Sequence, residues 1–274
     1  MRNSLAVLAA IVSVAFAAEP CAPLYYVYAR ATTEPPQLKD WAAPDAMASF
    51  DTEAAKIWSK GYGAAGQSLY SNLTAALPGT IGYPVHYPAS AGNSMPVGRK
   101  DMLDYLTKIS TACPNAKFAL GGHSQGGMVT VSVIPTIPKD ILAKVVAVAM
   151  FGSPPCPAAV QGRCNSYCNK GDFVCDSAGG KGAGGKAPGG KAPGGMKGAG
   201  GAAPPAAPPA APPAAPPAGE MAKRAADDDC TFVDKYVAKS PKNAHLAYSE
   251  DGYYIKKASC FVVSQFKKLG GAAA

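Results

Sequence analysis

The stretch Lys117-Phe-Ala-Leu-Gly-Gly-His-Ser-Gln-Gly-Gly127 governs the reading of everything around it. Lys117 to Leu120 reads as a buried strand, Gly122-His123-Ser124-Gln125-Gly126 as a sharp turn, and Met128, Val129, Val131 and Val133, ahead of Pro135, as a short helix. A strand that turns into a helix on a single serine is strained, and it needs glycines on both sides because nothing larger fits there. The serine hydroxyl is thereby lifted to a helix N-terminus, where peptide dipoles stabilise developing negative charge. Ser124 is therefore the candidate nucleophile.

A serine nucleophile needs a base, and the chain has three histidines. His86, in Val85-His86-Tyr87-Pro88, falls inside a strand pattern and reads as a core or sheet-face residue. His123 precedes the serine, with its side chain directed away from the serine's line of attack, and reads as packing that shapes the turn. His245, in a loop just before the final helical pattern, is left as the base by elimination. In the order serine, acid, histidine, the carboxylate lies between Ser124 and His245. Asp172, in Cys168-Asn-Lys-Gly-Asp172-Phe-Val-Cys175, is the first candidate; Asp176 and the run Asp227 to Asp229 remain as alternatives.

Outward from the turn the chain alternates between two periods. Leu24 to Ala29, Gly82 to Tyr87, Lys117 to Leu120 and Val145 to Phe151 read as strands, whereas Met102, Leu103, Leu106 and Ile109, and later Ile255, Ala258, Val262 and Phe266, recur at helical spacing. Strands alternating with helices predict an α/β fold with a mostly parallel sheet covered on both faces.

The ends and the middle read differently. Arg2, the apolar run Leu5 to Phe16 and Ala15-Phe16-Ala17 make residues 1–17 a secretory signal peptide, too short to span a bilayer. From Ser177 to Gly219, 37 of 43 residues are Gly, Ala or Pro, so this stretch buries almost nothing and reads as a spacer. It divides the chain into a first catalytic part over 18–176, a low-complexity insert over 177–229, and a second catalytic part over 230–274 carrying His245. The net charge of +8 comes in part from Lys181, Lys186, Lys191 and Lys197 of the insert. These lysines are interleaved with glycine rather than aromatics, which argues against nucleic acid and leaves contact with a cell-wall polymer as a role for the insert. Lys223-Arg224 is a candidate processing site, and Asn72-Leu73-Thr74 an N-glycosylation sequon. Eight cysteines in an exported chain predict disulfides. Cys156, Cys164, Cys168 and Cys175 lack the paired short spacing of a zinc site, so no metal is expected.

Gly122-His-Ser-Gln-Gly126, Cys168-Asn-Lys-Gly-Asp-Phe-Val-Cys175 and His245-Leu-Ala-Tyr248 together resemble the three signature blocks of the cutinase family, which shares its fold with acetylxylan esterases. The resemblance runs from Cys21 to Leu269 apart from the insert. It implies a three-layer α/β-hydrolase with a central, mostly parallel five-stranded sheet, no cofactor, and Ser124, Asp172 and His245 as the triad. It also implies an oxyanion hole from Thr32, with Thr33 as the alternative register, and Gln125. Two disulfides follow from the same matching, Cys21 to Cys113 and Cys168 to Cys175; Cys156 with Cys164 and Cys230 with Cys260 are the remaining pairs. The implied activity is that of a secreted, monomeric serine esterase acting on cutin-type polyester or short-chain fatty-acyl esters. Tyr87-Pro-Ala89 and Thr32-Thr33 also resemble acetylxylan esterases, which makes acetylated polysaccharide the alternative substrate. A non-catalytic, wall-associated secreted protein is the alternative of another class.

Overall fold

The computed structural model describes residues 21–177, 244–249 and 252–269. Five strands, β1 (Tyr25–Ala29), β2 (Ile81–Pro84), β3 (Phe118–His123), β4 (Val145–Phe151) and β5 (Cys164–Tyr167), form one sheet in the order β2-β1-β3-β4-β5. Every pairing is parallel, with Tyr25 opposite Phe118, Ala29 opposite Gly122, and His123 opposite Phe151. Parallel neighbours require crossovers, and these are helical: α1 (Ala46–Ala55) and α2 (Gly63–Ala76), then α3 (Met95–Ala112), then α4 (Gln125–Val133) with the short α5 (Lys139–Leu142). After β5 come α6 (Phe173–Ser177) and, following His245, α7 (Tyr253–Lys268).

The sheet is buried on both faces, which is why its central strands are continuously apolar rather than alternating. Alternate residues of β1 go to opposite layers. Tyr25, Val27 and Ala29 join Met102, Leu106, Val129 and Val133 on the α3 and α4 side. Tyr26 and Tyr28 join Leu69 and Leu73 of α2 and Ile255, Val262 and Phe266 of α7 on the other. Among the described residues no helix is long and apolar enough to cross a membrane.

One expectation needs correcting. The strand expected over Gly82 to Tyr87 is Ile81–Pro84, and His86 lies beyond it. Val85 still donates to Tyr28 O at 2.9 Å, but the next amide, that of His86, leaves the ladder for Asp101 Oδ2 at 2.7 Å. The fifth strand, Cys164–Tyr167, has no residue-level signature because it is a short, polar, half-exposed edge.

The strand order places a topological switch between β1 and β3: the chain leaves β1 toward β2 on one side and continues from β3 toward β4 on the other. The crevice at the carboxyl ends of such neighbouring strands is where open α/β sheets bind ligands. Ala29 and His123 end β1 and β3 there.

Candidate active site

Ser124 caps the N-terminus of α4 at φ 55° and ψ −117°, a conformation that L residues rarely adopt. The two flanking glycines make this turn sterically feasible. A Cβ on Gly122 would lie 2.3 Å from the Gly126 backbone, and one on Gly126 would lie 2.0 Å from Ala29 O. The turn is thus packed against itself and against the end of β1, so the backbone strain at Ser124 is held by contacts on both sides. Gln125 opens α4; its amide belongs to the first turn, whose N–H groups have no intrahelical acceptor. Its side chain is locked, with Nε2 donating to Ser90 O at 2.9 Å and Oε1 accepting from Ser94 Oγ at 3.1 Å.

Asp172 and His245, 73 residues apart, meet beyond the end of β4. His245 Nδ1 lies 2.9 Å from both carboxylate oxygens of the fully buried Asp172. The carboxylate also accepts from Tyr248 Oη at 2.5 Å and from the Val174 amide at 2.9 Å. Burial alone would raise the Asp172 carboxyl; the hydrogen bonds from His245, Tyr248 and Val174 outweigh it and hold the group below the usual carboxylate range. With Nδ1 bound to Asp172, His245 keeps Nε2 for chemistry. Among the described residues no hydrogen bond joins Ser124 Oγ to His245, and in resting enzymes such bonds are often long and tighten with substrate.

The link between the serine turn and the histidine loop runs instead through His123, whose Nε2 donates to His245 O at 2.7 Å. Burial pushes the His123 imidazole below its ordinary value, and among the described residues Nδ1 has no partner, as suits a neutral ring protonated on Nε2. Gly152, just after β4, completes the pocket wall: a Cβ there would lie 2.6 Å from Asp172 Oδ2 and 2.9 Å from His245 Nδ1.

The loop after β1 is equally constrained. Glu34 accepts from the Ala31 amide at 2.6 Å and the Ala64 amide at 2.9 Å, and the buried Arg30 donates to Glu34 O, Pro36 O and Tyr87 O. Within this loop Thr32 and Thr33 differ. The Thr33 amide is taken by Ala89 O at 2.6 Å and its hydroxyl by Thr32 O at 2.7 Å, whereas among the described residues the Thr32 amide has no acceptor.

Among the described residues three disulfides join Cys21 with Cys113, Cys156 with Cys164, and Cys168 with Cys175. The first ties the start of β1 to the end of α3, and the third brackets Asp172. Cys230 of the remaining expected pair lies outside the described residues, as do the signal, the insert beyond Ser177, and the Asp227 to Asp229 run. Asp176 is an exposed residue of α6, and among the described residues His245 pairs with Asp172 instead. Asn72 is half-buried in α2, and the Thr74 hydroxyl of its sequon bonds back to Tyr70 O and Ser71 O. His86 is buried beside Phe50 and Asp51, away from this constellation.

Comparison with known proteins gives the family. The profile described as Cutinase matches residues 20–183, more than half of the chain. The chain belongs to the cutinase family. Cutinases of Monilinia fructicola and Botryotinia fuckeliana are 26% and 27% identical over 162 residues, which cover 58% of this chain and 72% of each relative. Carboxylesterase Culp1 of Mycobacterium tuberculosis is 30% identical over 141 residues, 50% of this chain and 54% of that protein. Among solved structures, Trichoderma reesei cutinase in complex with a C11Y4 phosphonate inhibitor superposes with a TM-score of 0.49 at 20% identity, covering 91% of this chain and 78% of that one.

For a member of the cutinase family, several site residues escaped the sequence reading. Tyr248 was visible only as part of a block, yet it supplies the shortest bond to Asp172. Asn169 donates from its side chain to Ala244 O at 2.7 Å while its amide donates to Tyr248 Oη at 2.9 Å, so it ties the loop of Asp172 to the loop of His245. Gly152 and Glu34 likewise carry no local signal, because what they touch is distant in sequence.

Proposed function

We propose that this cutinase-family esterase is a secreted serine hydrolase of cutin-type polyester or short-chain fatty-acyl esters. The observation that carries the reading is the strained Ser124 at the α4 N-terminus, joined through His123 to the His245–Asp172 pair. Ser124 Oγ attacks the ester carbonyl while His245 Nε2 takes its proton, and Asp172 holds Nδ1–H and balances the imidazolium. The amides of Thr32 and Gln125 receive the oxyanion, and loss of one such donor costs on the order of 3 kcal/mol. The imidazolium protonates the departing alcohol; water, activated by the same histidine, then releases the acid from Ser124.

Support for an apolar substrate comes from the rim. Phe173 and Leu246 are 65% and 60% exposed, and the Phe173 ring lies 4.7 Å from that of His245. Large apolar side chains left in water beside a reactive site suit an acyl chain or a polyester surface better than a sugar. Three disulfides support export to an oxidising compartment.

The test is hydrolysis of p-nitrophenyl butyrate and of acetylated xylan by the purified protein, with Ser124→Ala as the blank. Faster turnover of the butyrate ester by wild type alone is expected. Preference for acetylated xylan would transfer the chain to the acetylxylan esterase reading. Equal rates for wild type and Ser124→Ala would leave a non-catalytic wall-associated protein.

A further inference from the structure

One short segment, Val85 to Ser90, between β2 and α3, holds Gln125 and the neighbour of Thr32, Gln125 and Thr32 being the two residues assigned to the oxyanion hole. Ala89 O accepts from the amide of Thr33, next to Thr32. Ser90 O accepts from the side chain of Gln125. Tyr87 closes the same loop by its carbonyl, which accepts from Arg30 Nη2 at 2.7 Å, and by its hydroxyl, which donates to Arg30 O. The segment itself has no strand pairing beyond Val85, so something else must fix it.

That support is one face of α3. Ser94, Gly98 and Asp101 recur at helical spacing and are all buried. Ser94 Oγ lies 3.0 Å from Ser90 O and shares its one proton between that carbonyl and Gln125 Oε1, and Gly98 packs on the Tyr87 ring, where a Cβ would lie 3.1 Å from Cγ. Asp101 accepts from the His86 amide at 2.7 Å and from Tyr83 Oη at 2.9 Å. His86 is also 3.0 Å from Asp51 of α1.

We propose that Asp101 is a positioning residue for ester hydrolysis, which through the His86 amide and Tyr83 sets the segment that spaces the two halves of the oxyanion hole. The inference rests on the esterase reading above. Burial, the largest influence, raises the Asp101 carboxyl to about 6 despite its bonds to His86 and Tyr83. A buried carboxylate therefore stays at this site against its own desolvation, where an apolar side chain would fill α3 as well. The neighbouring titratable groups are Tyr83 on β2, His86, Asp51 on α1 and Asp104 on α3.

The test compares wild type, Asp101→Leu, Asp101→Asn and Ser124→Ala on p-nitrophenyl butyrate, with kcat and KM separated and thermal unfolding followed for each. A misplaced oxyanion donor lowers kcat in Asp101→Leu by about ten- to a hundredfold with KM within about twofold. Asp101→Asn, which still offers an acceptor to the His86 amide, recovers most of that loss. If Asp101→Leu does not fold, Ser94→Ala loosens the other end of the segment and lowers kcat by about three- to tenfold at unchanged KM. Unchanged kcat in a folded Asp101→Leu, or in Ser94→Ala where the first fails to fold, overturns the proposal alone. A wild type no faster than Ser124→Ala overturns the esterase reading and this inference with it.

Discussion

His123 Nε2 donates to the backbone carbonyl of His245 across 2.7 Å, so the residue before Ser124, the proposed nucleophile, holds the main chain of the proposed base. This single bond sets the approach of two groups 121 positions apart in the chain. His123→Phe keeps the ring volume and removes the donor. We expect kcat to fall by about tenfold with little change in KM, and stability to drop by about 1 to 3 kcal/mol from the unsatisfied carbonyl. His123→Gln should restore part of the rate. Equal kcat in the Phe variant would make the ring mere packing.

The Asp172–Tyr248 bond is the second support. Asp172 titrates below its ordinary range in the folded chain, so its contribution is present above the unfolded value near 4 and is lost as pH falls through the folded one. Tyr248→Phe removes the 2.5 Å bond. It should cost about 1.5 to 3 kcal/mol at pH 7, the range for a hydrogen bond to a charged group, and shift acid unfolding to higher pH. Urea unfolding at pH 7 and pH 3 checks both, with the difference between variant and wild type shrinking at the lower pH.

Asp101 behaves in the opposite sense. The folded chain binds its proton more tightly than the unfolded chain, so stability falls as pH rises from near 4 through about 6. Asp101→Asn removes that titration. The variant should gain about 2 to 3 kcal/mol on wild type between pH 4 and pH 8, from a shift of about two units at 1.36 kcal/mol each. Chemical unfolding across this range measures it, and a pH-independent difference between the two proteins would contradict it.

The two disulfides at the site's edges should separate stability from activity. Cys21–Cys113 closes a separation of 92 residues and Cys168–Cys175 one of 7, which in the chain-entropy model contribute about 4.7 and about 2.5 kcal/mol. Replacing the first pair with serine should lower the unfolding temperature more and leave kcat unchanged well below it. Replacing the second should cost less stability and more kcat, because it brackets Asp172. Circular dichroism melts beside ester turnover at low temperature decide whether the order holds.

The local parts of this molecule were legible in the chain. The turn at Ser124 announced itself because its steric demand falls on Gly122 and Gly126, two positions away on either side. The central strands were legible because burial on both faces makes them continuously apolar, and α3 and α7 because one face of each is covered. His86 is buried, as read, yet lies past the strand for a physical reason: Val85-His86-Tyr87 has strand-like composition, but Asp101, fifteen residues later, captures the amide that the ladder needed. β5 was missed because an edge strand that is half in water carries no apolar pattern.

The sequence by itself therefore determined the α/β class, the nucleophile's turn and a short set of candidates for its partners. It did so because strain, periodicity and residue chemistry act over a few neighbouring positions. The tertiary structure decided which candidates meet: Asp172 rather than Asp176 at His245, Tyr248 and Asn169 behind Asp172, an amide without an acceptor among the described residues at Thr32 rather than Thr33, and Gly152 as the wall between β4 and the histidine. Those are contacts between segments tens of residues apart. They exist only once the parallel sheet brings the ends of β1, β3 and β4 to one edge, and no local pattern encodes a hydrogen bond whose partner is fixed by the packing of another layer.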